Sequence, residues 1–231
     1  MPAALRARIL DAALMHVPFD GWSEATFRNA IRDAEVTPAQ GRAAFPRGAV
    51  DLALAFHQRG DDEMAQRLND ADLEAMRYRD RVAFAVRTRL EVADMNKEAV
   101  RRGMTLFSLP MHAGDGMRAL WGTADAIWEA LGDTSRDVNW YTKRMTLSGV
   151  YSSTVLYWLG DTSEGYGDTW AFLDRRIDDV MSIEKVKARV RENPVLSRLM
   201  AGPNMVLDRI KAPSRTPRDD LPGMWSPRSS E

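Results

Sequence analysis

An all-α fold is what this chain predicts, on three observations. Apolar residues recur every third or fourth position along most of its length, the spacing that gives a helix one apolar face. Alternating β-branched runs and Asn-Gly turns, the marks of strands and hairpins, do not occur. Helix stops and caps, such as Gly132-Asp133-Thr134-Ser135 and Thr37-Pro38, punctuate the apolar stripes. At 231 residues the chain can bury a sizeable core, as one domain or two small ones. Its 45% hydrophobic and 28% charged content is that of a soluble globular protein. No run of about 18 apolar residues occurs, so no transmembrane helix is expected. With no cysteine, disulfides, thiolate metal sites and cysteine nucleophiles are excluded.

The elements follow in order. Residues 5–16 place Leu5, Ile9, Ala12 and Ala13 on one helical face, and 24–33 turn Phe27, Ala30 and Ile31 inward. Thr37 caps a short third helix with Pro38 at its first position, ending at Phe45-Pro46. This is the layout of a helix-turn-helix head at 1–47. A long helix at 49–70 carries Val50, Leu54, His57, Met64 and Leu68, with Gly60 expected to weaken it. Helices follow at about 77–93 and 97–111, the latter interrupted at Pro110. At 115–131, Met117, Leu120, Trp121, Ala124, Ile127, Trp128 and Leu131 form the cleanest stripe.

Residues 131–181 form the most distinctive stretch. Gly132 stops one helix, and Trp140, Arg144, Leu147, Tyr151, Val155 and Trp158 stripe the next. A second GDTS at 160–163 is expected to stop that helix in the same way, before Trp170, Leu173, Ile177 and Val180 begin another. Past Ile183 the composition turns basic: residues 185–218 hold nine Lys and Arg against two acids, a net +7. Leu196, Leu199, Val206, Leu207 and Ile210 share one side of a helical projection, split at Pro203. Proline, serine and arginine from 213 to 231 read as a disordered tail.

The residues argue against several chemistries. His16, His57 and His112 are scattered and form no metal-binding pair on one helical face, so no metal site is expected. Phosphate-binding loops and nucleophile elbows are absent, no catalytic residue stands out, and Asp174, Asp178 and Asp179 share a helix with Arg175 and Arg176 as surface pairs. A DNA-reading helix needs cations and donors. Residues 37–45 offer only Gln40 and Arg42, residues 1–60 carry a net +1, and Gly41 costs helix stability. DNA is therefore an unfavoured partner, although a ligand-responsive DNA-binding regulator remains the alternative function. The aromatic and methionine-rich stripes suit either an ordinary core or a cavity that adapts to a flexible apolar ligand. The basic segment suits either an anionic membrane surface or a helix that closes the core.

The order LGDTSxDxNWYTKRxxLxxVYxST, WLxDxS, TWxFLDRRIxDVM resembles the C-terminal domain of the ubiquinone (coenzyme Q) biosynthesis accessory family. Its members are lipid-binding proteins that assist the demethoxyubiquinone hydroxylase. The match runs over about fifty residues, with weaker similarity to about 211. Residues ILDAAL, GW and TFRNAIRDAEVTPAQGRAAFP look like the N-terminal domain of TetR-type regulators, whose fold that family shares.

The resemblance implies a TetR-like, homodimeric, non-catalytic lipid binder at 48–190, a membrane-associating segment at 191–212, and no cofactor beyond a bound isoprenoid lipid. The expected ligand is a polyprenyl quinone or its precursor, and Phe107, Met117, Trp121, Trp128, Leu147, Tyr151, Trp158 and Trp170 are the candidate lining. The hydroxylase is the implied partner of the Asp137, Asn139, Trp140, Tyr141 patch, with Arg144 beside it. Two adjacent aromatics point about 100° apart on a helix, so at least one of Trp140 and Tyr141 is expected to be exposed. Leu196, Leu199, Val206, Leu207 and Ile210 are the candidate membrane contacts. The N-terminus has no secretory layout and no transit peptide, which points to a bacterial cytoplasmic form peripheral on the inner face of the membrane.

Overall fold

The computed structural model describes residues 3–192 and residue 212, with side chains described as far as Ser182. Among these residues the chain is helical and has no strand. Its α-helices are α1 (Ala3–Asp20), α2 (Glu24–Asp33), α3 (Pro38–Ala44), α4 (Ala49–Asp70), α5 (Tyr78–Ala93), α6 (Lys97–Phe107), α7 (Ala113–Ala130), α8 (Val138–Gly160) and α9 (Gly167–Glu192). No helix among the described residues is long and apolar enough to cross a membrane.

Two apolar cores organise the helices. The first gathers Ile9, Ala13, Phe27, Ile31, Phe45 and Leu52 from α1–α4, closed by Ala99 of α6. The second gathers Met64, Leu68, Val86, Leu90, Ile127, Trp128, Leu147, Tyr151, Trp158 and Ile177. Helix α4 serves both, its first turns packing in the head and its last turns in the larger core. Head and helical domain therefore share one rod, rather than meeting at a flexible linker.

Local chemistry sets the helix ends. Ser23 caps α2 by accepting from the Thr26 N–H (3.2 Å), and Thr37 with Gln40 forms a complete capping box on α3. Gly132 adopts the left-handed conformation (φ 74°) that ends α7, while Asp137 caps α8 through the Asn139 N–H at 3.0 Å. The second GDTS works differently from its expected role. Gly160 is the last residue of α8, and the left-handed residues lie later, at Gly165 and Tyr166. Asp161 instead accepts from the Ser163 and Thr169 N–H groups at 2.7 and 2.9 Å, so it caps the entry to α9. The Thr169 hydroxyl, which also donates to Asp161, is the main cause that holds its carboxyl well below the usual carboxylate range, with Ser163 and the two N–H groups adding to it.

The two glycines read as weak points are packing positions. A Cβ on Gly41 would lie 2.3 Å from Ile31 Cδ1, so glycine lets α3 approach α2 closely. A Cβ on Gly60 would lie 2.7 Å from Arg89 Cζ, and α4 runs unbroken through it. Helix α6 ends at Phe107, earlier than expected, in turns closed by Leu109 N–H to Leu106 O and His112 N–H to Leu109 O. The acids of α9 are surface pairs as expected: Arg79 meets Asp178 at 2.6 Å, and Arg176 meets Asp179 at 2.8 Å.

Candidate functional site

Helices α4 to α8, with Trp22 below them, line a cavity of about 370 Å³. Its walls are mainly apolar: Phe56, Leu90, Met104, Phe107, Leu120, Val155 and Trp158 contribute. Close packing at the small residues shapes it. A Cβ on Gly116 would lie 2.7 Å from Phe107 Cβ, so glycine there lets α7 begin against the Phe107 side chain. Four of the eight residues expected to line a lipid site meet here, namely Phe107, Met117, Tyr151 and Trp158. Met117 is 66% exposed and stands at the mouth.

One side of this cavity is polar, contributed by His57 of α4, Arg89 of α5 and Tyr151 of α8. Behind them lies a buried network. Arg89 Nε donates to Asp61 Oδ1 (2.7 Å) and an Nη donates to the His57 carbonyl (3.1 Å). The Thr123 hydroxyl donates toward Asp61 (2.9 Å), and His57 Nε2 lies 2.7 Å from that hydroxyl. Burial pushes the His57 pKa down; Asp61 opposes that shift and Arg89 adds to it. Its neutral form is therefore favoured. Burial likewise pushes the Tyr151 phenol up, so it stays protonated.

Asp61, Arg89 and Thr123 are not among the residues expected to form a site. A signal of the network was available: Asp61 falls on the Leu54, His57, Met64, Leu68 stripe, and Arg89 falls among Val82, Val86 and Ala93. A charge at an apolar position on each of two stripes marks a buried pair.

The patch at the start of α8 is built from α7 and α8 together. Trp121 of α7 packs against Trp140 and Tyr141, with ring centroids 5.8 and 6.4 Å away, and those two meet edge-on at 4.8 Å. Both Trp140 and Tyr141 are thereby half-buried, whereas their angular separation led to the expectation that at least one is exposed. Asn139 is half-buried and Asp137 exposed. Arg144, placed in sequence beside the partner contacts, is 1% exposed and lies beneath them. Its guanidinium reaches Asp125 at 2.5 Å and Asp133 at 3.2 Å, and sits 4.0 Å from the Trp140 ring centroid. A long cation on the inward stripe of α8 is buried because two carboxylates compensate it. Burial raises the Asp133 pKa, but hydrogen bonds from Lys143, Ser135 and Arg144 outweigh it and hold the carboxyl down to about 2.

The remaining candidates separate. Trp128 and Leu147 line a second recess of about 230 Å³ between α5, α7, α8 and α9, which Asn139 also borders. Trp170 lies in a third, beneath Arg87, whose guanidinium is 4.7 Å from its ring centroid. Trp121 belongs to the aromatic patch. Helical periodicity grouped these aromatics as one lining, whereas they are divided among several spaces. Leu196, Leu199, Val206, Leu207 and Ile210 lie outside the described residues. Among the described residues, no group of three or more His, Asp or Glu could hold a metal.

Fold and cavity together define a TetR-like helical protein with an amphipathic internal site. The architecture matches the crystal structure of a TetR transcriptional regulator from Nitrosomonas europaea, with a TM-score of 0.62 over 76% of this chain and 97% of that one. At 20% identity the likeness concerns the fold alone.

By sequence, residues 113–184 match the COQ9 family model. Over 78% of its length the chain is 34% identical to the mitochondrial ubiquinone biosynthesis protein COQ9 of Drosophila melanogaster, covering 56% of that protein. To the rat and human COQ9 proteins it is 30% and 28% identical, over 81% of its own length and 62% and 61% of theirs. The chain is similar in sequence to these COQ9 proteins and spans less than two thirds of their length.

Proposed function

We propose that this protein acts in ubiquinone biosynthesis as a non-catalytic lipid binder that presents a polyprenyl quinone precursor to the demethoxyubiquinone hydroxylase. The observation that carries the reading is the cavity of about 370 Å³, apolar over most of its wall, to which α7 and α8 of the COQ9-matching stretch contribute. That volume falls within the range of about 300–1,000 Å³ typical of ligand sites. It accommodates a ring and the start of an isoprenoid tail, with the rest of the tail leaving past Met117. Phe107, Met104 and Met117 are adaptable contacts for such a chain.

The Trp121, Trp140, Tyr141 cluster, with Asp137 and Asn139 at its edge, forms the docking patch for the hydroxylase. Half-buried aromatics held in fixed geometry are the usual anchors of protein interfaces. Chemistry then belongs to the partner, and this protein lifts a water-insoluble substrate out of the bilayer. The basic segment at 191–212 holds the protein, as a homodimer, on an anionic membrane surface.

A DNA-binding regulator is less well supported. Arg42 pairs with Glu24 and lies 4.6 Å from the Phe27 ring centroid, while Gln40 is committed to its capping box. The two residues of α3 best suited to contact DNA thus have intramolecular roles. The direct test of the partner reading is to measure binding of purified demethoxyubiquinone hydroxylase to wild type and to a Trp140→Ala/Tyr141→Ala variant. Retained binding in the double variant contradicts the assignment.

A further inference from the structure

We propose that the cavity binds its ligand head-first, with Tyr151 and Arg89 donating hydrogen bonds to uncharged acceptor oxygens on a ring or head group carried by an apolar chain. This rests on the reading of the cavity as a lipid site and adds an orientation and a head-group chemistry to it. Three observations point this way. Tyr151 is 6% exposed and lines the cavity, and among the described residues its hydroxyl has no hydrogen-bond partner. A hydroxyl on a mainly apolar cavity wall has few protein acceptors within reach, so an acceptor on the ligand is its natural complement. Arg89 also lines the cavity; it uses Nε and one Nη on Asp61 and the His57 carbonyl, out of five guanidinium N–H groups.

The third observation concerns charge. Asp61 stands behind the wall, with both oxygens engaged by Thr123 and Arg89, so it neutralises Arg89 without facing the ligand. His57 adds no net charge, because burial favours its neutral form. A wall that shows donors but has its cation already paired suits carbonyl or ether oxygens better than a free carboxylate or phosphate. Gly60 is integral to this arrangement, since a Cβ there would displace the Arg89 guanidinium. The apolar lining, with Phe107, Met104 and Met117, is left for the tail.

The test uses the full chain and two probes: a decyl-substituted dimethoxybenzoquinone, and decylbenzene, which has a ring and tail of similar shape but no oxygen. Equilibrium dialysis gives the Kd of each for wild type and for Tyr151→Phe. The expected result is a roughly five- to tenfold weaker quinone affinity in Y151F, the size of one neutral hydrogen bond, with decylbenzene changed less than twofold. The Tm of Y151F should be unchanged or higher, because the lost hydroxyl had no partner in the empty protein. Equal effects on both probes, or no effect on the quinone, overturn the polar-wall assignment while leaving the cavity as a lipid site. Failure of wild type to bind either probe overturns both readings.

Discussion

The Arg144 guanidinium lies 4.0 Å from the Trp140 ring centroid and joins it to two carboxylates, Asp125 and Asp133. One buried cation thus fixes the ring that the docking patch presents. Substituting Arg144 by Met leaves Asp133, only 3% exposed at its side chain, with Lys143 as its remaining ion-pair partner. Loss of one partner from a buried pair costs about 3 kcal/mol or more. Urea unfolding of R144M should show that loss, together with weaker hydroxylase binding. Unchanged stability would mean that the ion cluster does not hold the patch.

Trp121 provides a sharper test of how the patch is assembled. It touches Trp140 and Tyr141 but does not line the cavity. Trp121→Ala should weaken hydroxylase binding at least tenfold, as expected when an interface anchor loses its support. Lipid content should stay the same. Loss of lipid with intact partner binding would reverse the assignment.

Gly60→Ala opposes two known effects. Helix propensity alone predicts a gain of up to about 1 kcal/mol in the middle of α4. The new Cβ would stand 2.7 Å from Arg89 Cζ and push the guanidinium away from Asp61. Overpacking of that kind costs about 1–3 kcal/mol and should prevail. Thermal melting decides the sign, and a raised Tm would show that Arg89 moves freely.

Two pH windows follow from the shifted groups. The Asp133 pKa is lowered to about 2, so its contribution is complete above the ordinary value of about 3.9 and is lost as pH falls toward 2. The stability difference between wild type and Asp133→Asn should therefore shrink by about 2 kcal/mol between pH 6 and pH 2.5. The His57 pKa is also lowered, so the unfolded chain takes up its proton first as pH drops below about 6.5. Stability should begin to fall there in wild type, and fall less in His57→Gln. Parallel pH curves for wild type and each variant would refute these assignments.

The helices were legible because their apolar stripes and caps are local: the Thr37-Pro38 start of α3, the Gly132 stop of α7 and the inward row from Leu147 to Trp158 all stand as read. What escaped depends on residues distant in sequence. Gly41 and Gly60 look like weak helix positions until Ile31 and Arg89 are seen against them. Trp140 and Tyr141 cannot both face one core, yet Trp121 from another helix half-covers both. Periodicity placed Trp121, Trp128 and Trp170 inward, but three separate spaces receive them. His57 looked isolated among three scattered histidines; Asp61 lies one turn along α4, and the packing of α5 and α7 adds Arg89 and Thr123.

The most direct measurement is mass spectrometry of lipid extracted by organic solvent from the folded protein, purified without strong detergent. The account predicts a polyprenyl quinone or its precursor near one molecule per chain, and loss of that lipid when bulky residues such as Met104→Trp fill the cavity. An extract free of prenylated quinones, from protein verified as folded and prepared from cells that make them, would contradict it.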